Sequence, residues 1–329
     1  MKPWPRSRNL NVNMQVPLPI VNIFFNPEER RFRAMWRVLL QILVMVVVVA
    51  IPVFCLTELA TWLLKSGRIT MNADLFDKVM DVAVGIIVTI LVLISLRVSG
   101  RWLDRRRFED FGFRIDAKWW TEFFLGLSLG VLLIAAVYLT EFLTGWVHIS
   151  GTFHTSAKAL PYWFAFLYPF IKACCVGVYE EAISRGYHLT NLREGFLGFV
   201  RGGDAVASIA AIVLSSAFFG LLHIRNPNGT SISTISIMIN GAMLGTAFHL
   251  TGRLGLSIGL HMSWNLAQGW LFGFPVSGDA EISTIIQTVQ SGPEWLTGGS
   301  FGPEGGMLGL GASVVGLLLL IAFRKKLKR

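Results

Sequence analysis

The chain has 329 residues, of which 53% are hydrophobic and only 15% are charged. Soluble domains carry about 25% charged residues, and disordered chains are poor in apolar residues, so both classes are excluded. The composition is that of an integral membrane protein. The net charge is +9, and the Lys and Arg residues cluster at the ends of apolar runs. This distribution is typical of cytoplasmic loops, and we expect no nucleic-acid partner.

Apolar runs along the chain predict an all-α, polytopic membrane helix bundle, because about 20 mostly apolar residues cross a bilayer as a helix. About eight runs are candidates for spanning helices. They cover roughly residues 35–56, 79–96, 121–143, 160–179, 205–223, 232–250, 254–272 and 306–323. The basic segment before the first run lacks the apolar core and cleavage site of a signal peptide, so we expect the first run to remain as a span.

Lys and Arg in the loops predict the orientation of the bundle. They are concentrated near the N-terminus, after the second span and in the tail, which places both termini in the cytoplasm. Five segments follow from this topology. They are a basic N-terminal segment (1–34), three N-terminal spans (35–143), a core (160–275), an extracytoplasmic loop without Lys or Arg (276–305), and a last span with a basic tail (306–329). The Gly-rich end of the extracytoplasmic loop is expected to be flexible.

The fourth apolar run ends in three ionisable residues, which are costly in a membrane and mark function when they persist there. They are Glu180, Glu181 and Arg185. Glu181 and Arg185 are four residues apart, in the order that favours an ion pair along one helix. Adjacent carboxylates point about 100° apart on a helix, so we expect them to take separate partners and Glu180 to be free for chemistry. The alternative is a helix end whose charges are solvated in the cytosol.

Two more pairs of residues have the same four-residue spacing, and each contains a histidine. Phe219 and His223 end the fifth run, and His261 and Asn265 lie in the seventh. Alternatively, His223 caps a helix C-terminus, and the other pair forms an interhelical hydrogen bond. The remaining histidines have no such polar neighbours and are expected at interfaces or on the surface. They are His148, His154, His188 and His249.

The three sites together supply the groups that hydrolysis needs. A carboxylate activates water, imidazoles move a proton, and an amide stabilises an oxyanion. Glu180, His223 and His261 could also bind zinc and leave one position open. The helical signature of common zinc proteases, HExxH, does not occur in the sequence. No cofactor is certain from the sequence, and zinc is the one that it suggests.

At these residues the chain resembles the CAAX prenyl protease type 2 and bacteriocin-processing family, also called CPBP or Abi. The family's motifs EExxxR, FxxxH and HxxxN read here as Glu180-Glu181 with Arg185, Phe219 with His223, and His261 with Asn265. The resemblance covers about residues 160–275. It implies that this region is the catalytic core of an intramembrane endopeptidase, with a membrane-associated protein or peptide as substrate and the lipid bilayer as its surroundings.

The resemblance also implies a role for each residue. Glu180 is the general base and His223 is its partner, while His261 and Asn265 face the developing oxyanion. Three residues have supporting roles, namely Glu181, Arg185 and Phe219. A metal-dependent and a metal-free, glutamate-dependent mechanism have both been described for the family, and both stay open here.

A common site requires the three motifs to lie at one depth. His261 lies seven residues into its run, whereas His223 lies at the end of its own. We therefore expect the fourth helix to continue past Glu180 and the turn 251–254 to lie inside the membrane. Lys172 is two turns before Glu180 and is expected to snorkel to the interface.

Two other functions are compatible with the same residues. A non-catalytic scaffold or immunity-type protein would use the polar network to join helices, and a transporter would use it as a proton relay. The sequence shows no inverted repeat, which argues against the transporter. The chain has few signs of a eukaryotic origin, so we expect the bacterial cytoplasmic membrane and a substrate without a prenyl group.

Overall fold

The computed structural model of the chain describes residues 21–198 and 200–327. It is 73% helical, which confirms the predicted all-α class. Eight long helices form the bundle in this described part. They are α1 (Ala34–Lys65), α2 (Ala73–Asp104), α3 (Ala117–Leu143), α4 (Tyr162–Leu197), α5 (Gly203–Leu222), α6 (Ser231–Thr251), α7 (Gly255–Asn265, continued by a π-helical turn, Leu266–Leu271) and α8 (Met307–Ala322).

The other described elements are short. They are helices Val21–Phe24, Glu294–Thr297 and Arg324–Leu327, the 3-10 turns Phe108–Phe111, Gly299–Phe301 and Pro303–Gly305, and a hairpin of strands Phe25–Asn26 and Arg31–Phe32. One longer sheet completes the described structure. Its strands β1 (Val147–Thr155) and β2 (Ser283–Gln290) pair antiparallel, with a bulge between Ile149 and Gly151.

Six of the described helices, α1 to α6, are long and apolar enough to cross a membrane. The chain is therefore an integral membrane protein. All eight predicted runs are helical, but α7 and α8 are shorter than a full span. Eight crossings and cytoplasmic termini stay predictions, and residues 1–20 and 328–329 lie outside the described part of the chain.

Glycines bring α3 and α7 into close contact. Gly126 of α3 and Gly259 of α7 each lie against the backbone of the other helix, so that a Cβ at either position would overlap it. Small residues permit this close packing between membrane helices. Every residue from Gly255 to Trp264 is buried as a result. The helix that carries His261 is thus fixed at the centre of the bundle.

The fourth helix continues past Glu180, as predicted. It is α-helical as far as Glu181, π-helical over Ala182–Leu189 and α-helical again over Thr190–Leu197. Such π-helical segments are rare in proteins, and those that occur are often found at functional sites. Glu180 is therefore near the middle of a helix of 36 residues, not at a helix end.

The predicted sites share one level because α4 extends past its neighbours. Gly186 of α4 packs against Leu254, the residue before α7. From that contact, Glu180 is six residues along α4 and His261 is seven residues along α7, which correspond to about 9 Å and about 10.5 Å. Leu254 is completely buried, so the turn before α7 lies within the bundle. The depth of this level in a bilayer stays a prediction.

A buried ionic cluster ties the far end of α4 to α1 and α2. Arg37 pairs with Asp104 at 2.9 Å and with Glu194 at 3.2 Å. Arg106 pairs with Glu194 at 2.7 Å, and Arg31 pairs with the same carboxylate. We call these five residues the base cluster. It anchors α4 at the opposite end of the bundle from β1 and β2.

Residues 273–305, which we call the cap, form a structured cover rather than a flexible loop. They include β2, and Phe301 from the Gly-rich stretch is only 2% exposed. Gly298 and Gly302 have positive φ and lie against backbone carbonyls where no side chain would fit. The expectation of flexibility is wrong because these glycines permit close backbone packing. The extracytoplasmic location of this segment stays a prediction.

Candidate active site

Glu181 and Arg185 form the buried ion pair that their spacing predicted. Arg185 Nη1 donates to Glu181 Oε1 at 2.8 Å, and both side chains are buried. Arg185 Nη2 donates to the carbonyl oxygen of Gly241 in α6 at 3.1 Å. The alternative of a helix end solvated in the cytosol does not fit this geometry. The pair instead joins α4 to α6 inside the bundle.

His261 of α7 lies between the two adjacent glutamates. Its Nδ1 donates to Glu181 Oε1 at 2.9 Å, and its Nε2 is 3.9 Å from Glu180 Oε2. The expectation that the two carboxylates take separate partners is wrong. One imidazole ring has two nitrogens, and each of them faces one of the two carboxylates. The bond to Glu181 fixes the ring so that Nε2 faces Glu180.

Phe219 of α5 packs against three groups of the site. Its ring centroid is 4.4 Å from the guanidinium carbon of Arg185, which is a cation–π contact. The same ring is 4.8 Å from the His223 ring and 6.2 Å from the His261 ring. His223 follows the last turn of α5, and its Nδ1 donates to the carbonyl oxygen of Phe219 at 2.8 Å. This bond leaves Nε2 of His223 for other partners.

All four residues predicted to be catalytic line one cavity. Glu180, His223, His261 and Asn265 are in the wall of this cavity, which has a volume of about 560 Å³. Glu180 Oε2 is buried and has no hydrogen-bond partner among the described residues. Nor does a Lys or Arg of the described chain lie within ion-pair distance of Glu180. This carboxylate is thus placed to take a proton from a molecule in the cavity.

The cap adds polar residues to the cavity that the sequence did not predict. They are Ser277, Asp279, Glu281 and Glu304. The Ser277 hydroxyl donates to Glu304 Oε1 at 2.7 Å. The sequence signal for these residues is a segment with acidic residues and no Lys or Arg, which by itself indicates only topology.

Lys172 of α4 turns towards the cap. Its Nζ is 3.7 Å from Asp279 Oδ2 of the cap, and snorkelling to a membrane interface stays a prediction. Burial raises the pKa of the nearby Glu281 carboxyl above its ordinary value of 4.5, although the charge of Lys172 opposes this effect. The cap end of the cavity is therefore polar and partly charged.

His188 is not a surface residue, contrary to the prediction. It is 8% exposed, lines the same cavity and donates from Nε2 to Gln41 Oε1 of α1 at 2.9 Å. The π-helical segment of α4 directs it inwards, two turns after Glu180. His148 and His154, on β1, are exposed as expected.

The predicted zinc ligands do not form a three-ligand site in this arrangement. Among residues 21–198 and 200–327, no three His, Cys, Asp or Glu side chains are grouped closely enough to hold a metal ion. Two ring nitrogens are also committed, since Nδ1 of His223 and Nδ1 of His261 both donate hydrogen bonds. Zinc binding stays a prediction.

Residues 160–267 match the family described as Rce1-like, type II CAAX prenyl endopeptidase Rce1-like. This range includes all three motifs, so the resemblance to the CAAX protease family is confirmed for the part of the chain that forms the site. No curated protein and no solved structure matches the chain significantly. The site therefore lies in an Rce1-like domain of an integral membrane protein.

Proposed function

We propose that the chain is an intramembrane endopeptidase that hydrolyses a peptide bond in a membrane-associated protein or peptide. One observation carries the proposal: Glu180 has an unpaired, buried Oε2 in a cavity that it shares with His223, His261 and Asn265. A carboxylate oxygen that is buried without a hydrogen-bond partner is costly, and such groups cluster where chemistry occurs. The Rce1-like domain supports this reaction class.

Glu180 and His223 activate the water in this proposal. A water molecule within hydrogen-bond reach of Glu180 Oε2 gives the carboxylate a proton while its oxygen attacks the carbonyl carbon. His223 donates from Nδ1 to Phe219, so a neutral ring presents an unprotonated Nε2. That nitrogen accepts a hydrogen bond from the same water and orients it.

His261 and Asn265 stabilise the oxyanion that forms on the carbonyl oxygen. The Asn265 amide is a neutral donor. His261 can donate from Nε2 only when both ring nitrogens carry protons, because Nδ1 already donates to Glu181. When the tetrahedral intermediate collapses, the C–N bond breaks and the amine leaves with the proton that Glu180 took from water.

Glu181 and Arg185 act as positioning residues. Glu181 accepts hydrogen bonds from Arg185 and His261 on the same oxygen, Oε1. Arg185 donates to this carboxylate from α4, and the carboxylate holds the His261 ring in place. Phe219 supports the arrangement by packing under Arg185 and beside both histidines.

The test compares host membranes that contain matched amounts of wild type, Glu180→Gln or His223→Ala. New peptide termini are measured by mass spectrometry. Termini that appear only with wild type would support proteolysis and would identify the substrate. Glu180→Gln is the sharper variant because it keeps the shape and hydrogen-bonding capacity of the side chain.

The scaffold is the second candidate, because the Glu181, Arg185 and His261 network joins α4, α6 and α7. A scaffold tolerates Glu180→Gln, since Glu180 itself makes no ion pair with Lys or Arg in the described structure. Identical termini in all three membranes, with variants shown to be folded by their thermal unfolding, would favour this function over hydrolysis.

A further inference from the structure

The face of α4 that lines the active-site cavity is a ridge of side chains spaced four residues apart. They are Lys172, Val176, Glu180, Ser184 and His188. In a continuous α-helix, residues eight apart are rotated by about 80°, so His188 would turn away from the direction of Glu180. The π-helical segment Ala182–Leu189 has wider turns, which rotate less per residue and oppose this drift. The π-helical segment therefore keeps His188 in the cavity wall.

The imidazole ring of His188 is held by three neighbours. Nε2 donates to Gln41 Oε1 of α1 at 2.9 Å, and Gln41 is completely buried. The ring meets those of Tyr187 and Phe218 edge to face, with centroids 6.2 Å and 6.5 Å away. Polar side chains are costly inside helices that can span a membrane, and where they persist they mark function. A ring fixed in this way presents its second nitrogen in one direction.

Nδ1 of His188 is accessible from the cavity. It has no hydrogen-bond partner among the described residues, yet it is not one of their fully buried polar atoms. The side chain as a whole is only 8% exposed, and it lines the cavity. The accessible surface of this nitrogen therefore lies in the cavity, where a bound molecule can reach it.

The contact with Gln41 determines what Nδ1 can bind. Because Gln41 Oε1 is an acceptor, Nε2 carries a proton. Gln41 has no charge that could compensate a second proton on the ring, and an uncompensated buried charge is costly. A neutral imidazole has one protonated nitrogen and one acceptor nitrogen. Nδ1 is therefore an acceptor, and its partner in the cavity must be a hydrogen-bond donor.

An extended peptide supplies such a donor. The N–H groups of an extended segment have no partners within the segment, and buried backbone N–H groups must be paired. The cavity walls beside Glu180 and His188 are helices, whose own backbone groups are bonded along the helix. A side chain of the wall must therefore accept from the segment, and Nδ1 of His188 is an acceptor in the required place.

We propose that His188 is a substrate-binding residue whose Nδ1 accepts a hydrogen bond from a backbone N–H of the extended scissile segment, and that Gln41 positions it. His188 is eight residues from Glu180, roughly 12 Å along α4. Three to four residues of extended chain cover this distance. The bonded N–H therefore lies three or four residues from the scissile bond. This inference rests on the proposed hydrolysis at Glu180, and neither His188 nor Gln41 belongs to the three motifs.

The first measurement does not depend on hydrolysis. The wild-type chain is produced with isotope-labelled histidine, and the protonation of each ring nitrogen is read from nitrogen–proton NMR spectra in detergent micelles. The signals of His188 are identified by their absence in His188→Gln. We expect a proton on Nε2 and none on Nδ1. A proton on Nδ1 would overturn the proposal, because this nitrogen would then be unable to accept a hydrogen bond.

The second measurement uses the peptide that new termini identify as the substrate. It is synthesised with a single N-methyl group on each peptide nitrogen near the scissile bond in turn, which removes one N–H donor at a time. For wild type, we expect methylation three or four residues from the scissile bond, on one side, to raise KM about five- to ten-fold, with kcat within about two-fold. In His188→Gln, KM should already be raised by this factor, and the same methyl group should raise it no further.

Two further variants separate binding from a structural role. His188→Asn places an amide oxygen at the position of Nδ1 but loses the bond to Gln41, so its KM should stay within about three-fold of wild type. His188→Gln keeps a group that can reach Gln41 and has no acceptor in place of Nδ1. His148→Gln, at an exposed position on β1, is the control for the substitution and should match wild type. Thermal unfolding checks that each variant is folded.

Equal effects of methylation in wild type and His188→Gln would show that His188 does not touch the substrate, and would overturn the proposal. So would a fall in kcat with an unchanged KM in His188→Gln, which would assign the residue to the chemical step. If wild type produces no new termini, the proposed hydrolysis fails and this proposal fails with it. A protonated Nδ1 or equal methylation effects would refute the proposal alone and leave the hydrolysis standing.

Discussion

Two buried ionic clusters lie along α4, and they differ in what surrounds their carboxylates. In the base cluster, Asp104 and Glu194 each have an arginine within 3.2 Å. At the site, Glu181 has the same kind of partner, Arg185 at 2.8 Å. Glu180 has only His261 Nε2 at 3.9 Å in the described structure, and it faces the cavity. Charges that hold helices together are paired with arginine, whereas the charge placed for chemistry is not.

The comparison predicts opposite consequences for removing a carboxylate charge in the two clusters. Breaking a buried ion pair destabilises a protein because the remaining charge is left uncompensated. Removing a charge that has no strong partner has little such cost. Variants in the two clusters should therefore separate activity from stability.

The largest effect is expected for Glu180→Gln. Cleavage should fall by about 100- to 10,000-fold, the usual contribution of a general base, with an unfolding free energy within about 1 kcal/mol of wild type. Rates are measured on the substrate identified by its new termini, and stability is measured by unfolding in detergent.

The matched variant in the base cluster is Asp104→Asn. It should lose about 3 kcal/mol of stability, because Arg37 is 1% exposed and loses its closest partner. The folded fraction should cleave at the normal rate. A stable, inactive Asp104→Asn protein would contradict the division between the two clusters.

Arg185→Lys should have the next largest effect. Lysine keeps the charge but cannot bind Glu181 and the Gly241 carbonyl in the same geometry. We expect cleavage to fall about 10- to 100-fold and stability to fall by about 1–3 kcal/mol, as for hydrogen bonds to charged groups. Arg97→Lys, at an exposed position on α2, is the control and should match wild type in both measurements.

Phe219→Leu should have a smaller effect on the same network. It removes a cation–π contact worth about 0.5–2 kcal/mol and loosens both histidine rings. Activity is expected to fall about 2- to 30-fold. Phe124→Leu removes a ring from an exposed position on α3 and should leave the rate unchanged. Equal rates for the two variants would show that Phe219 contributes only bulk.

A pH effect on stability is expected from the cap. Burial raises the pKa of Glu281 above 4.5, so the folded chain binds this proton more tightly than the unfolded chain does. The resulting stabilisation is complete below the ordinary pKa and is lost as the pH rises through the folded pKa. The midpoint of thermal unfolding of Glu281→Gln should therefore exceed that of wild type increasingly at higher pH.

Glu294→Gln is the control for this pH effect. It changes an exposed carboxylate of the same cap and so controls for the loss of one negative charge from this segment. A pH-independent difference between Glu281→Gln and wild type would mean that the Glu281 carboxyl is not desolvated by the cap.

The smallest effect is expected from a chelator. The described donors do not form a three-ligand metal site, so cleavage should continue in the presence of a zinc chelator. Loss of activity that is restored by added zinc would show that Glu180, His223 and His261 rearrange around a metal. The assay uses the same substrate termini, with a zinc-loaded zinc protease that the same chelator inactivates as the positive control.

Structural features that depend on a local sequence pattern agree with the predictions. The apolar runs predicted where the helices lie, and the spacing of four residues predicted the Glu181–Arg185 pair. The need for one common depth predicted that α4 continues past Glu180. Each of these depends on helical periodicity or on the length of an apolar run, which can be read directly from the order of residues.

The predictions for His188 and for the cap differ from the structure because of contacts between distant parts of the chain. His188 was expected at the surface, but α1 supplies Gln41 as its partner. The cap was expected to be a flexible loop, but its glycines allow backbone packing against other segments, and it adds Glu304 to the cavity. Gln41 is far from His188 in sequence, and Pro275 is far from Gly302, so no local pattern indicates these contacts.

The sequence alone determined the helical membrane class, the positions of the helices and the residue types of the site, because apolar length and helical spacing are local properties. Only the tertiary structure decided that His261 contacts both glutamates and that Glu180 keeps a free oxygen in the cavity. These features depend on how α1, α4, α5 and α7 pack, and that packing is set by close contacts between helices that are far apart in the chain.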